Sequence, residues 1–381
     1  MTGDLLNCIS LYFHIPFCTK KCPYCHFYVL LDNASHRARF LTALKNEWRM
    51  RLSLIGDKPI GSIYFGGGTP ALLSSDEIKD ILDMVHSSSN VLNDCEITIE
   101  ANPENIDRNK LQGFFDAGIN RLSIGVQSFD DDMLKTLDRI HDSRKAIWAI
   151  ETANQIGFNN ISIDIMYDLP GQTPQEFSRT LDIAAKLPIT HLSLYNLQIE
   201  PNTAFYKRQK ELNAIIPRDE NSTALLQSAI DHLTASGFEH YEISAFARHQ
   251  KRSFHNLGYW QARPFLGFGP SAFSYWDKKR FRNCANLLKY EKALFNGQDP
   301  VDFSEQLETL SAQNELFAVE MRLLQGVNIP QFEKRHGALN SLLKKSIEHL
   351  ISIDLLKKEH DTLSLTKRGI FFYDSVAVEL I

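Results

Sequence analysis

Three cysteines fall in one short run: Cys18, Cys22 and Cys25, in Phe17-Cys18-Thr19-Lys20-Lys21-Cys22-Pro23-Tyr24-Cys25. Thiolates are soft metal ligands, and the C-x3-C-x2-C spacing places three of them in one loop. A structural zinc ion would need a fourth ligand, which His14 or His26 would have to supply. A [4Fe–4S] cluster held through three irons would leave its fourth iron open for a substrate or cofactor. Three thiols that simply stay reduced are the plain alternative, and their crowding argues against it. The remaining cysteines, Cys8, Cys95 and Cys284, read as small buried residues.

The elements that must position this loop show in the periodicity. Strands are expected at 9–15, 61–66, 95–101, 120–126, 161–167 and 191–197. Helical patterns lie between them, near 36–54, 75–87, 107–117, 143–156 and 174–186. Strands alternating with helices of this length imply βαβ units and a parallel sheet. Six units in one run suit an α/β fold of the partial (βα)6 barrel type better than a small doubly wound domain. Polar residues then cluster where strands end. Gly66, Gly67 and Gly68 follow the second strand, Glu100 ends the third and Gln127 the fourth. Asp164 lies late in the fifth, and Asn196 and Gln198 end the sixth. In a βα barrel, ligands bind at these ends. Helix capping explains one or two such residues but not the series.

Beyond residue 219 a helical stretch leads to the strand-like run HYEISAFA, then to a loop rich in aromatics, Gly and Pro at 254–276. Residues 304–381 have helical periodicity and suggest a small, mainly helical, winged-helix-like domain. They carry nine Lys/Arg against eleven Asp/Glu, a net of −2, so DNA binding is not expected. The expected division is 1–240, 241–303 as a connecting segment, and 304–381. Lysine pairs at 344–345 and 357–358 read as the solvated face of an ordinary helix rather than a membrane surface.

The whole chain has 381 residues, 43% of them hydrophobic, and a net charge of −5. This excludes a disordered protein and argues against binding nucleic acid through bulk charge. The start, MTGDLLNCIS, does not look like a signal peptide, and no apolar run approaches the ~20 residues of a membrane span. A cytoplasmic protein with reduced thiols is expected.

C-x3-C-x2-C directly after a first strand resembles the signature of the radical S-adenosylmethionine (SAM) superfamily. The resemblance implies that SAM chelates the open iron of a [4Fe–4S] cluster at Cys18, Cys22 and Cys25. One electron then cleaves its C–S bond to give a 5′-deoxyadenosyl radical. Gly66-Gly67-Gly68-Thr69-Pro70 looks like the family's glycine strip, which implies that Gly67, Gly68 and Thr69 lie against the cofactor's methionyl part. Tyr12, Tyr24, Glu100, Gln127, Arg139 and Asp164 occupy positions that resemble the family's other SAM contacts.

HIPFC with its cysteines, GGGTP, GVQSF and DIMYDLPGQT resemble one branch of that superfamily. It contains the oxygen-independent coproporphyrinogen III oxidases (HemN) and the heme chaperones (HemW). The likeness runs from about residue 10 to the C-terminus. Four features favour the chaperones. Phe27 stands where the oxidases carry an additional cysteine, and the cluster motif begins too early for their N-terminal extension. His255-Asn256-Leu257-Gly258-Tyr259-Trp260 is similar to the chaperones' H-N-x-x-Y-W pattern, as is Arg139-Ile140-His141 to their equivalent. The resemblance implies heme binding, with His255 as a candidate axial ligand and Tyr259 and Trp260 as stacking surface. The alternative for these residues is packing between barrel and C-terminal domain, with His255 as a hydrogen-bonded core residue. Implied partners are acceptor hemoproteins, some at membranes, and an electron donor; a homodimer stays open. The alternative function is oxidative decarboxylation of coproporphyrinogen III to protoporphyrinogen IX.

Overall fold

The computed structural model describes residues 7–217 and 219–381. Most of the N-terminal stretch read above therefore lies outside the described residues. Six strands run parallel and pair in chain order: β1 (Ile9–Ile15), β2 (Ile60–Gly67), β3 (Val91–Ala101), β4 (Arg121–Gln127), β5 (Ile161–Tyr167) and β6 (His191–Asn196). Helices α1 (Ala34–Ile55), α2 (Ser75–Ser88), α3 (Arg108–Asp116), α4 (Ser143–Ile156) and α5 (Pro174–Lys186) make the crossovers. This is the expected partial (βα)6 arrangement. Local signals set the helix starts: Ser74 with Glu77 and Thr173 with Glu176 form capping boxes, and Asp142 caps α4.

Each strand divides its residues by the period of two. Leu11, Phe13, Phe65, Ile99, Ile124, Ile163 and Leu192 point to the helices and share one buried core. The opposite face carries Ser10 and Tyr12, Ser62 and Tyr64, Glu96 and Glu100, Arg121, Asp164, Ser193 and Tyr195. Parallel strands covered on both faces normally read as apolar runs. Here the inner face is polar, so it lines a lumen rather than a packed core. Tyr195 shows this: it lies on the inner face and is 45% exposed.

The stretch expected to connect two domains is integral to the sheet. Beyond β6 lie β7 (Glu239–Glu242) and β8 (Ala245–Ala247), with β8 pairing antiparallel to both. At the other edge, β9 (Phe265–Phe268) pairs parallel with β1. Then β10 (Phe273–Trp276), β11 (Lys279–Asn283) and β12 (Val301–Glu305) follow antiparallel. A helix, α6 (Asp219–Ala235), precedes β7. The expected loop at 254–276 is instead helix α7 (Phe254–Trp260) and two strands. Part of the start signal of α7 comes from far away: Glu96 on β3 accepts from the backbone N–H groups of Phe254 and His255 at 3.0 and 2.9 Å. Within α7, a Cβ on Gly258 would lie 2.2 Å from Arg263 Nη2, so only glycine lets that buried guanidinium approach.

The C-terminal part has its own core around Phe317, Phe332, Leu343, Leu363 and Val376. It comprises α8 (Thr309–Glu320), α9 (Ser341–Ser352), α10 (Tyr373–Leu380) and shorter helices. A three-stranded antiparallel sheet joins them, with β13 (Val327–Asn328), β14 (Leu356–Glu359) and β15 (Thr362–Leu365) in the order β13-β15-β14. Lys344, Lys345, Lys357 and Lys358 are all exposed, while Leu343, Ile347 and Leu350 pack inward. Among the described residues no helix is long and apolar enough to cross a membrane.

Candidate functional site

Where the chain leaves β1 it forms the cysteine loop, pinned from two sides. Leu30 N–H donates to Pro16 O at 2.6 Å and Asp32 N–H to Cys18 O at 2.9 Å. From the end of β2, Gly68 N–H donates to Ile15 O at 2.9 Å and Thr69 N–H to Phe17 O at 2.7 Å. The glycines are demanded by this stitching. A Cβ on Gly67 would lie 2.5 Å from the His14 ring, and one on Gly68 would lie 2.6 Å from Phe17 O. Gly67 also has φ +107°, which favours glycine.

His14 does not close a zinc site. Its Nε2 donates to Tyr28 O and its Nδ1 accepts from the Tyr12 hydroxyl, both at 3.1 Å. Burial lowers its pKa to about 4, so it is a neutral interior ring. The His26 ring packs on Phe27 at 4.6 Å between centroids. Among the described residues no three His, Cys, Asp or Glu side chains gather as ligands of a single metal ion. A cluster makes a different demand, because each thiolate meets its own iron. The three thiols are half-buried and lie within electrostatic reach of one another. Burial pushes Cys18 up to about 11 and raises Cys25 as well. A bound cationic centre is what would ionise such thiols.

Hydrogen-bond donors point at the sulfurs. Thr69 Oγ1 donates to Cys18 Sγ at 3.5 Å, and Arg139 Nη1 donates to Cys22 Sγ at 3.4 Å. Arg139 Nη2 donates to Asn102 Oδ1 at 2.8 Å and to Gly125 O at 2.9 Å. Its Nε is buried and has no hydrogen-bond partner among the described residues. A guanidinium whose Nε–H has no partner is suited to an incoming carboxylate. Tyr24 packs on Phe205 and places its hydroxyl against Arg139 and Cys22.

The carboxylates sit inward of the thiols. Glu100 accepts from the Tyr64 hydroxyl at 2.8 Å and from Gly67 N–H at 3.2 Å. Burial pushes it up to about 7 against those two bonds, and nearby Asp164 adds to the rise. Burial also pushes Asp164 up to about 6, opposed by Ser193 and by Arg121 and Arg139. Gln127 ends β4 in the left-handed region, φ +68°, with its amide close to Gly125. Tyr12 stacks on Tyr64 at 6.2 Å. Tyr12, Tyr24, Gly67, Gly68, Thr69, Glu100, Gln127, Arg139 and Asp164 are thus all placed around the mouth and upper lumen of the barrel.

His255, Tyr259 and Trp260 are not. They belong to α7, which lies under the N-terminal half of the strands. His255 is 1% exposed, with Nδ1 2.9 Å from Ser62 Oγ and Nε2 2.8 Å from the Tyr259 hydroxyl. Burial, then the charges of Arg263 and Arg121, hold its pKa well below normal. Both imidazole nitrogens are engaged by hydroxyls, so an axial bond to a heme iron would require one of these hydrogen bonds to break. Tyr259 packs edge-on against Phe265, and Trp260 lies under Arg322 of the C-terminal part at 4.3 Å. Packing between the barrel and the C-terminal part therefore describes this segment.

Sequence reasoning missed Asn102 and Tyr64. The signal for Asn102 was its place two residues past Glu100, at the turn out of β3. For Tyr64 it was the inward phase of β2, two residues before Gly66. Asp168, at φ +58°, takes the Asn196 and Ser222 side chains on one carboxylate oxygen, which gives strand-end Asn196 a structural task.

A partial barrel with three thiols at its mouth and a polar lumen beneath defines a radical SAM protein. Residues 12–184 match the model of the Radical SAM superfamily, and residues 311–372 match the HemN C-terminal domain. The solved coproporphyrinogen III oxidase HemN from Escherichia coli superposes with a TM-score of 0.86, covering 99% of this chain and 90% of that one. At 24% identity, that likeness establishes the fold. Curated relatives named heme chaperone HemW are more similar in sequence. The protein from Bacillus subtilis (strain 168) is 32% identical, over 94% of this chain and 96% of its own length. The one from Buchnera aphidicola subsp. Schizaphis graminum is 35% identical over 97% of both chains, and that from Escherichia coli (strain K12) is 31% identical over 97% of both. The chain belongs to the HemW family of the radical SAM superfamily.

Proposed function

We propose that this protein is a heme chaperone: it binds heme and passes it to acceptor hemoproteins. It would hold a [4Fe–4S] cluster at Cys18, Cys22 and Cys25, with SAM beside it. The observation that carries the reading is the near-full-length similarity to several proteins named heme chaperone HemW. Phe27 supports it: it is 55% exposed at the end of the loop and adds no fourth thiol. The bound cluster would supply an open coordination site and one-electron reduction.

The chain's own residues have definite tasks in this reading. The spare Nε–H of Arg139 pairs with the amino-acid carboxylate of SAM, and Glu100 accepts from its ammonium group. Asp164 and Gln127 take the ribose hydroxyls. Tyr12, Tyr24, Gly67, Gly68 and Thr69 form the wall behind the methionyl part. Heme is held without the His255 imidazole, and a one-electron donor reaches the cluster from the barrel mouth. Residues 1–240 supply the radical SAM core, 241–303 extend its sheet and close its floor, and 304–381 form a separate packing unit.

The test is anaerobic reconstitution of the full chain, followed by iron and sulfide analysis, heme titration and a coproporphyrinogen III assay. Roughly four irons per chain, saturable heme binding and no protoporphyrinogen are expected. Turnover of coproporphyrinogen would overturn the chaperone assignment in favour of the oxidase.

A further inference from the structure

The donors at Cys18 and Cys22 are not independent. Asn102 Nδ2 donates to Thr69 Oγ1 at 3.2 Å, and Thr69 Oγ1 reaches Cys18 Sγ at 3.5 Å. On its other side Asn102 Oδ1 accepts from Arg139 Nη2 at 2.8 Å, and Arg139 Nη1 reaches Cys22 Sγ at 3.4 Å. One amide therefore stands between the donors of two thiols. We infer that Asn102 is a positioning residue that ties the Cys18 and Cys22 sulfurs together through Thr69 and Arg139, and so sets the reduction potential of the centre they hold. The inference rests on the cluster assignment proposed above.

Chemistry fixes the direction of this relay. A guanidinium has donors only, so Asn102 must turn its oxygen to Arg139 and its NH2 to Thr69. The Thr69 hydroxyl then accepts from Asn102, and its own hydrogen is free for Cys18. Both arms deliver a hydrogen to sulfur. Such bonds stabilise the more negative, reduced state of an iron–sulfur centre and raise its potential.

The fold makes room for Asn102 and holds it. A Cβ on Gly125, beside it on β4, would lie 2.9 Å from Asn102 Oδ1. Thr69 is 2% exposed, so solvent does not compete for its hydroxyl. Asn102 itself reaches no thiol; it acts only through its two neighbours. That distinguishes it from Arg139, whose spare Nε–H the proposed function already uses.

Asn102→Asp keeps the shape but reverses the Thr69 arm. A carboxylate cannot donate, so the Thr69 hydroxyl turns to it and leaves Cys18. Thr69→Val removes the same donor without adding charge, and Thr69→Ser restores it. The reconstituted full chain would be titrated anaerobically, with the reduced cluster followed by electron paramagnetic resonance. Iron and sulfide are measured first: a wild-type chain without a four-iron cluster overturns the cluster assignment and this inference with it, before any variant is compared. With the cluster present, Asn102→Asp and Thr69→Val should each lower the reduction equilibrium constant about tenfold, roughly 59 mV for a one-electron couple. Thr69→Ser should match wild type. If Thr69→Val leaves the potential unchanged, the inference is overturned, because a shift in Asn102→Asp alone reports only its added charge. The Thr69 variants are read whether or not Asn102→Asp folds.

Discussion

The imidazole of His255 and the hydroxyl of Ser62 meet at 2.9 Å beneath the barrel. The ring lies against Tyr64, 4.8 Å between centroids, and its other nitrogen is held by Tyr259. His255 is therefore a keystone between α7 and β2. It links the floor of the lumen to the tyrosine that holds Glu100.

His255→Ala should cost stability and spare heme binding. It leaves a cavity and removes the partner of the Tyr259 hydroxyl, while Ser62 keeps its bond to Ser10, for a loss of about 2–4 kcal/mol. Urea unfolding measures the first and heme titration the second. Lost heme affinity in a fully folded variant would contradict the placement.

Cys22→Ala should remove the brown absorbance of the reconstituted protein and most of its iron. Cys284→Ala should leave both intact, because Cys284 is buried with its thiol turned to Asn286 O. Iron analysis of the two variants side by side checks the assignment.

Glu100 predicts an inverted pH dependence of stability. Its carboxyl is pushed by burial from an ordinary value of 4.5 up to about 7. Between those values the folded protein holds the proton more tightly than the unfolded chain. Stability from this group is therefore full at low pH and is lost as pH rises towards 7. Glu100→Gln should gain roughly 3 kcal/mol at pH 8 and almost nothing at pH 4. Thermal melts of ligand-free protein at the two pH values read the difference. An equal gain at both would point to packing instead.

Arg322 fastens the C-terminal part. It stacks over Trp260 at 4.3 Å and Tyr373 at 5.2 Å, and pairs with Glu242 at 3.4 Å. Glu242 is 2% exposed, so Arg322→Ala leaves a buried carboxylate without its partner. A loss of about 3 kcal/mol is expected, with faster proteolysis between the two parts. Glu242→Gln in the same chain should recover part of it, which a double-mutant cycle measures.

The amino-acid sequence alone determined the six parallel strands, their crossover helices and the cysteine loop. Those depend on period-two and helical patterning, on nearby caps such as Ser74 with Glu77, and on the spacing of Cys18, Cys22 and Cys25. The tertiary structure decided the rest, because the deciding partners lie far apart in the chain. Residues 254–260 look like a loop until Glu96 arrives to accept from their first N–H groups. His255 resembles a free ligand until Ser62 and Tyr259 take both its nitrogens. Asn102 looks like an ordinary turn residue until Thr69 and Arg139 converge on its amide. Local patterning carries the periodicity of burial, but a polar group's role is set by which partners the fold brings within hydrogen-bonding distance.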